Sequence, residues 1–439
     1  MTRPALYLDL TDLVQWVRRN PTVTGIQRVH INYAVHALDL GVSCIMFHGR
    51  GCREVELLSA EFVRYVADVL AGRRMMDKRR FYALCPNARL DPWADYRHKY
   101  GSKPLKYAWH TLGSAVQFYA RQALFKRIAA PVQFQAGDML INVGRSWTIA
   151  GYVTRIQQLK DKYGIAALLF LHDLIPIRNA AERRANSQFL DFVTAALRTF
   201  DHFFTSSDYN RGEIARCMQE FLGHEKPVEK LSFGQDLDDR SQPDAPLPEG
   251  LEPGRYLLCV GRIAPSKNQL RLLHVWQRIV EAGQQHGVKM VFLGELSANY
   301  REFHQAYRAA PGLAQALILL SNASDATLNT LYRHCLFTVF PSTLEGYGLP
   351  AAESMAYGKF CLASNATAIP EAAGPYADYF DPLDDAEMSA QIVRYLADPN
   401  ALQAREALIR SAPLKTWAQA SGALVARANQ LAGGDQPAG

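Results

Sequence analysis

The sequence predicts an α/β protein of two Rossmann-like domains facing a central cleft. Short apolar runs alternate with helix-length segments throughout the 439 residues, the pattern of parallel sheets covered by helices. That length suits two domains, with room for a third. Between the halves lies QDLDDRSQPDAPLPEGLEPG, residues 235–254, rich in Pro, Asp and Gly and the best linker in the chain. Hydrophobic residues make up 49% and charged residues 21%, enough for real cores, which excludes long-range disorder, collagen and small disulfide scaffolds.

Taken in order, the strand candidates of the first half are residues 5–10, 44–48, 138–144, 165–173 and 202–207, defining a domain over 1–234. Those of the second half are 255–261, 289–294, 316–321, 337–342 and 360–364, defining a domain over 255–405. Ligands should sit at the carboxyl ends of these strands. Residues 406–439 contain a helical pattern with Trp417, Leu424 and Val425 as anchors, able to pack on either domain, and then a loose tail. One extended α/β domain with a long loop is the alternative.

The formal charge of +6 suits anionic ligands without being diagnostic of nucleic acid. The seven cysteines are scattered, form no CxxC pair and read as reduced core residues of a cytosolic protein. No apolar run approaches 18 residues and no signal peptide opens the chain, so a membrane span is not expected. Residues 96–137 carry seven Lys and Arg, interleaved with aromatic rings, and no acidic side chain. Such a stretch suits peripheral contact with an anionic membrane or an acceptor with a pyrophosphate and an apolar tail; a solvated basic face is the alternative. No nucleic-acid recognition motif accompanies it.

Chemistry concentrates in the second half. After the run at 337–342, TLEGYGLPAAESMAYG places Gly346 and Gly348 in a tight turn whose N–H groups can approach an anion. Glu345 lies on that loop and Glu353 near the start of the following helix, both able to point into the cleft and accept from paired hydroxyls. A capping role would account for Glu353 alone. In VGRIAPSKNQLRLLHVWQRIV, Ser266 reads as an N-cap before a helix with the apolar stripe Leu270, Leu273, Trp276 and Val280. Lys267 then sits at the wrong end of the helix dipole unless an anion binds there, and Arg262 can join it in clamping a diphosphate. Two solvated basic side chains are the alternative.

In the first half, FLHDLIP places His172 and Asp173 directly after a buried-type strand, where either can reach a substrate across the cleft; a satisfied structural histidine is the alternative for His172. Gly25 and Arg28 lie between the first strand and a helix, where they can approach phosphate or acceptor. Ser206 and Ser207 end a strand and can cap the next helix. No metal site is expected: Asp236 and Asp238 form a D-x-D string, but in the linker.

The second half resembles the retaining, nucleotide-sugar-dependent glycosyltransferases of family 4, which have the GT-B fold. The marks are VGRIAPSKN (260–268), FPSTLEGYGLPAAESMAYGK (340–359) with its E-x7-E spacing, and SNATAIPEAAGPYADYFDP (364–382). TGIQRV (24–29) and FLHDLIP (170–176) extend it thinly into the first half, with Gln27 where the family often has a small residue. The resemblance implies transfer of a sugar from a nucleotide-diphosphate donor without a further cofactor. Arg262 and Lys267 would hold the diphosphate, Glu353 the ribose, and Glu345 the sugar hydroxyls near the reacting centre. His172 would approach the transferred sugar, and Gly25 with Gly346, Tyr347, Gly348 and Leu349 would line the donor. It also implies a final helix returning to the first domain. Similar proteins build bacterial surface polysaccharides, often from GDP-mannose or a related GDP-deoxyhexose, which makes a GDP-mannose-dependent mannosyltransferase the leading reading; the basic aromatic stretch at 96–137 favours a lipid-linked saccharide acceptor and a cytoplasmic protein peripheral on the inner face of the membrane. A rhamnosyl or UDP-hexose transferase, a nucleotide-sugar epimerase, a glycan phosphorylase and a non-enzymatic sugar- or polyanion-binding protein are the competing readings.

Overall fold

The computed structural model describes residues 4–20, 25–49, 51–88, 132–178, 187–236, 244–297, 300–321 and 323–433. Residues 96–131 of the basic aromatic stretch, and Asp238, lie outside the described residues.

The first sheet contains β1 (Leu6–Asp9), β2 (Ser43–His48), β3 (Glu54–Leu57), β4 (Met139–Asn142), β5 (Ala166–Phe170), β6 (His202–Thr205) and β7 (Val228–Lys230). Their order is β3-β2-β1-β4-β5-β6-β7, parallel except for the β2–β3 pair. The second sheet, β10-β9-β8-β11-β12-β13, is parallel throughout. It consists of β8 (Tyr256–Val260), β9 (Lys289–Leu293), β10 (Leu317–Leu320), β11 (Phe337–Phe340), β12 (Cys361–Ser364) and β13 (Asp378–Phe380). Strand order reverses at β1/β4 and at β8/β11, and the loops leaving the carboxyl ends of these strands form the natural crevices. The two sheets confirm the predicted α/β, two-Rossmann architecture.

Each predicted apolar run contains a strand, because a strand covered on both faces must be continuously apolar. Three strands escape that signal: β3, β7 and β13 read EVEL, VEK and DYF, short segments without a continuous apolar run. A helix, Thr11–Arg19, also intervenes between β1 and the helix Gly25–Asp39. Gly25 therefore begins the second helix of the chain, not a loop leaving the first strand.

The segment after β8 departs from expectation as well. Pro265–Lys267 forms a 3₁₀ turn and the helix begins at Gln269, so Ser266 is no N-cap. Asn268 occupies the junction at φ +61° and donates through Nδ2 to the Pro341 and Pro382 carbonyls. The buried stripe includes Leu273 and Trp276 as predicted, but Leu270 and Val280 are only partly buried at its edge.

The final helix, Trp417–Ala432, packs on the first domain against the helix Gly25–Asp39. Trp417 stacks on Phe233 at 5.9 Å and meets Tyr33 edge-on at 5.8 Å. Arg427 forks onto Glu229 at 2.9 and 2.7 Å. Gly234 is needed there because a Cβ would lie 2.5 Å from the Trp417 backbone. Truncating a buried tryptophan removes both apolar transfer and packing, so Trp417→Ala should cost about 3–5 kcal/mol. Urea denaturation measures this, and a loss below about 1 kcal/mol would contradict a docked helix.

Candidate functional site

The second-domain wall is built at the β8/β11 reversal. β8 ends into Gly261, whose φ of +143° favours glycine, and Arg262 follows, exposed. Lys267, one turn further, pairs its Nζ with Glu345 Oε1 at 2.5 Å. Glu345 reaches this position from the loop after β11, where Thr367 pins its backbone: the Glu345 amide donates to Thr367 Oγ1 at 3.0 Å, and that hydroxyl donates back to the Glu345 carbonyl at 3.1 Å. Two residues 78 positions apart thus meet as an ion pair whose carboxylate is largely buried.

Glu353 sits within the helix Leu349–Ala356 and does not cap it; the residue before that helix is Gly348, at φ +110°. Glu353 accepts from the Tyr332 hydroxyl at 2.9 Å and from Arg28 at 3.0 Å. Arg28 also reaches Asp325 at 3.2 Å. Burial would lower the Arg28 pKa, but Glu353 and Asp325 outweigh it and hold the group above its usual value. Burial, then Glu353, push the Tyr332 phenol well up, so it is a donor. Arg28, expected near phosphate or acceptor, is the first domain's counterion to Glu353. A cavity of about 150 Å³ opens beside this network between Arg28, Asn32 and Asp236 on one side and Leu349, Ala352 and Glu353 on the other.

In the first domain His172 follows β5 and lies almost wholly buried, 5.2 Å from the Phe170 ring. Burial depresses its pKa to about 4, so the ring is neutral at pH 7. Its Nε2 lies 2.7 Å from the Val143 carbonyl, which can only accept. Nε2 therefore carries the proton and Nδ1 is the acceptor nitrogen. Nearby, Asp12 and His30 face each other at 3.1 Å, both buried. Burial opposes both charges, yet the partners prevail: Asp12 is held low and His30 high, an internal ion pair.

The domains meet at Gly346. A Cβ there would lie 2.8 Å from Asp173 Cβ and 2.9 Å from the His172 carbonyl. Absence of a side chain at Gly346 thus permits domain contact, a reason different from the anion approach expected. Gly25 similarly faces Leu349, with a Cβ 3.2 Å from its Cδ1, and Tyr347 is buried edge-on against Phe233 at 5.0 Å. Ser207 caps the helix Asp208–Leu222 as expected. Its hydroxyl and that of Ser206 also lie 3.1 and 3.2 Å from the Gly346 carbonyl. The Glu345–Lys267 and Glu353–Arg28 pairings are tertiary, and Asn210, Tyr332 and Thr367 were not singled out because no local pattern marks them. Asp236, part of the D-x-D string, accepts from the Trp417 amide. Among the described residues no group of three or more His, Cys, Asp or Glu is arranged to hold a metal.

Comparisons with known proteins fit this arrangement. Residues 248–415 match the family model for Glycosyl transferases group 1. The chain is 28% identical over 247 residues to the serotype-specific mannosyltransferase WbdA of Escherichia coli, covering 52% of this chain and 29% of that protein. It is 28% identical over 202 residues to the O-antigen chain mannosyltransferase B of Escherichia coli, covering 44% of this chain and 51% of that one. The chain thus spans under a third to about half of these relatives. A trehalose-6-phosphate structure from E. coli with UDP-2-fluoro glucose superposes with TM-score 0.57 at 13% identity, over 97% of this chain and 99% of that one. A glycosyltransferase from Rickettsia africae ESF-5 does so with TM-score 0.57 at 12% identity, over 99% and 100%. The fold is therefore GT-B, and residues 248–415 are similar to group 1 glycosyl transferases.

Gly346→Ala must push the domains apart or strain the loop, and should cost about 1–3 kcal/mol in urea denaturation; an unchanged midpoint would mean the contact yields freely. His172 makes stability depend on pH. Between about 4 and its usual value near 6.5 the unfolded chain binds the proton that the folded ring refuses. Stability therefore rises with pH across that window and is lost as pH falls. His172→Gln should flatten this slope by up to about 1.4 kcal/mol per pH unit, read from denaturation curves at pH 4.5 and 6.5.

Proposed function

We propose that this protein is a retaining glycosyltransferase that moves a hexose or deoxyhexose from a nucleotide-diphosphate donor, GDP-mannose first among candidates, to a lipid-linked saccharide during bacterial surface-polysaccharide synthesis. The observation that carries the reading is the Lys267–Glu345 ion pair between the loops that follow β8 and β11, with the His172 segment brought to the same loop by the Gly346 contact; Arg262 directly follows β8. The similarity to a serotype-specific mannosyltransferase and an O-antigen chain mannosyltransferase supports a mannosyl donor and a saccharide acceptor. A cytoplasmic protein lying against the inner face of the membrane, with residues 96–137 as its contact, completes the proposal; among the described residues no helix is long and apolar enough to cross a membrane.

The chemistry follows from charge development. Cleaving the sugar–phosphate bond leaves negative charge on the departing diphosphate and positive charge on the sugar. Arg262 and Lys267 stabilise the former by charge-assisted hydrogen bonds, without requiring a metal. Glu345, paired with Lys267, accepts from sugar hydroxyls, and Glu353 from ribose hydroxyls in exchange for part of its Arg28 contact. The acceptor hydroxyl attacks the anomeric carbon from the leaving-group side while the departing phosphate oxygen takes its proton. Glu345 then is no covalent nucleophile, so the two-carboxylate logic of hydrolases does not apply. Neutral His172 offers Nδ1 as a hydrogen-bond acceptor to the sugar.

Mass-resolved turnover of GDP-, UDP- and dTDP-sugars with and without polyprenyl-pyrophosphate oligosaccharides tests the whole reading. The expected product gains one sugar only when acceptor is present, retains the donor's anomeric configuration by NMR, and persists in EDTA. Arg262→Ala and Lys267→Ala should each lower kcat/KM by about 100-fold or more. Donor conversion without acceptor would favour an epimerase or hydrolase, and tight donor binding with no turnover a binding protein.

A further inference from the structure

We infer that Asn210 is a positioning residue, and that with Glu371 it forms a clasp aligning the two halves of the site. Asn210 lies in the first turn of the helix Asp208–Leu222 of the first domain and is almost wholly buried. Its Nδ2 lies 2.7 Å from the His172 carbonyl and 2.5 Å from the Gly346 carbonyl. An amide nitrogen carries two hydrogens, so one group ties a segment of each domain. One segment contains His172 and the other follows Glu345. A single side chain that touches neither reacting group thereby links the segments carrying these candidate site residues, alongside the Ser206 and Ser207 hydroxyls on the same Gly346 carbonyl.

A second contact secures the same helix end from the opposite domain. Glu371, on the helix Ile369–Ala373, accepts from the Asp208 and Tyr209 amides at 2.7 and 2.8 Å. These are first-turn N–H groups, which have no partner within a helix and favour negative charge. Lys230 reaches Glu371 at 3.1 Å and also pairs with Asp208. Lys230 and its hydrogen bond to Asp208 keep the Asp208 carboxyl below its usual range. The carboxylate from the second domain is thus the cap of a first-domain helix, alongside Ser207. When the domains part, the amides exchange Glu371 for water and Asn210 loses the Gly346 carbonyl. The clasp is complete only in the closed arrangement.

This inference rests on the proposed transfer reaction for its kinetic readout but not for its structural one. Hydrogen exchange at the Asp208 and Tyr209 amides of the full chain reports the clasp whether or not any sugar is transferred. Glu371→Gln, which removes the charge at a partly exposed position, should speed exchange at both amides. Asn210→Asp keeps the shape but removes both donors, and should lower kcat by about 10- to 100-fold through misplacement of His172 against Glu345. The dissociation constant for GDP-mannose should stay within about threefold, because the donor-facing residues are intact. Should Asn210→Asp fail to fold, Glu371→Gln carries the kinetic test with the same expected split. Unchanged exchange in Glu371→Gln overturns the clasp. An unchanged kcat, or a matched loss of kcat and donor affinity with a lowered thermal midpoint, overturns the positioning role. A wild-type chain that turns over no donor overturns the transferase reading instead, leaving exchange to decide the clasp.

Discussion

The contact on which the site depends is the approach of the Gly346 loop to the His172–Asp173 segment, closer than any side chain would allow. Each sheet is covered by helices on its faces, and one apolar cluster runs from the first domain to Tyr347, Ala352 and Ala372 of the second. What the two cores do not supply is a fixed distance between the loops that leave them. That distance comes from backbone carbonyls meeting side-chain donors in a buried contact, where each unmade hydrogen bond would cost the full desolvation of its group. Directional bonds of this kind add one geometry to the apolar packing of Tyr347, Ala352 and Ala372 at the same junction.

Ion pairs join this frame in two distinct ways. Lys267 and Glu345 belong to one domain, so their partnership survives any movement of the other. Arg28 and Glu353 come from different domains, and Asp325 and Tyr332 share their charge and hydrogen bonding. A carboxylate held by an arginine from across the cleft is poised for ligand hydroxyls without being left unpaired, the costly alternative for a buried charge. The internal Asp12–His30 pair beneath His172 follows the same rule: each charge is tolerated because the other is within reach.

The final helix contributes to the site at one remove. By bringing Trp417 onto Phe233, it buttresses the ring against which Tyr347 packs, and Phe233 in turn lies 6.0 Å from the His172 ring. A chain crossing back from the second domain thereby stiffens the floor under both loops. Glu371 reaches the first domain from a different side, so the junction is held at several points and its geometry is overdetermined.

Much of this was legible in the residues themselves. Continuous apolar runs mark strands covered on both faces, and Arg262, Lys267, Glu345 and Glu353 stand out because charges and glycines directly follow such runs. Local patterning failed where the signal is not local. The strands VEK and DYF are edge or near-edge pieces whose pairing depends on neighbours already in place. Ser266 looked like a cap, but Asn268, tied to two distant carbonyls, decides where the helix starts. Arg28 meets Glu353 across 325 residues, and Asn210 meets Gly346 across 136. The sequence alone determined which side chains were available at the strand ends, because periodicity and polarity act within a few residues. Only the tertiary structure decided which of them pair, because hydrogen bonds and ion pairs operate over a few ångströms of space that the chain reaches only when both domains are folded and closed.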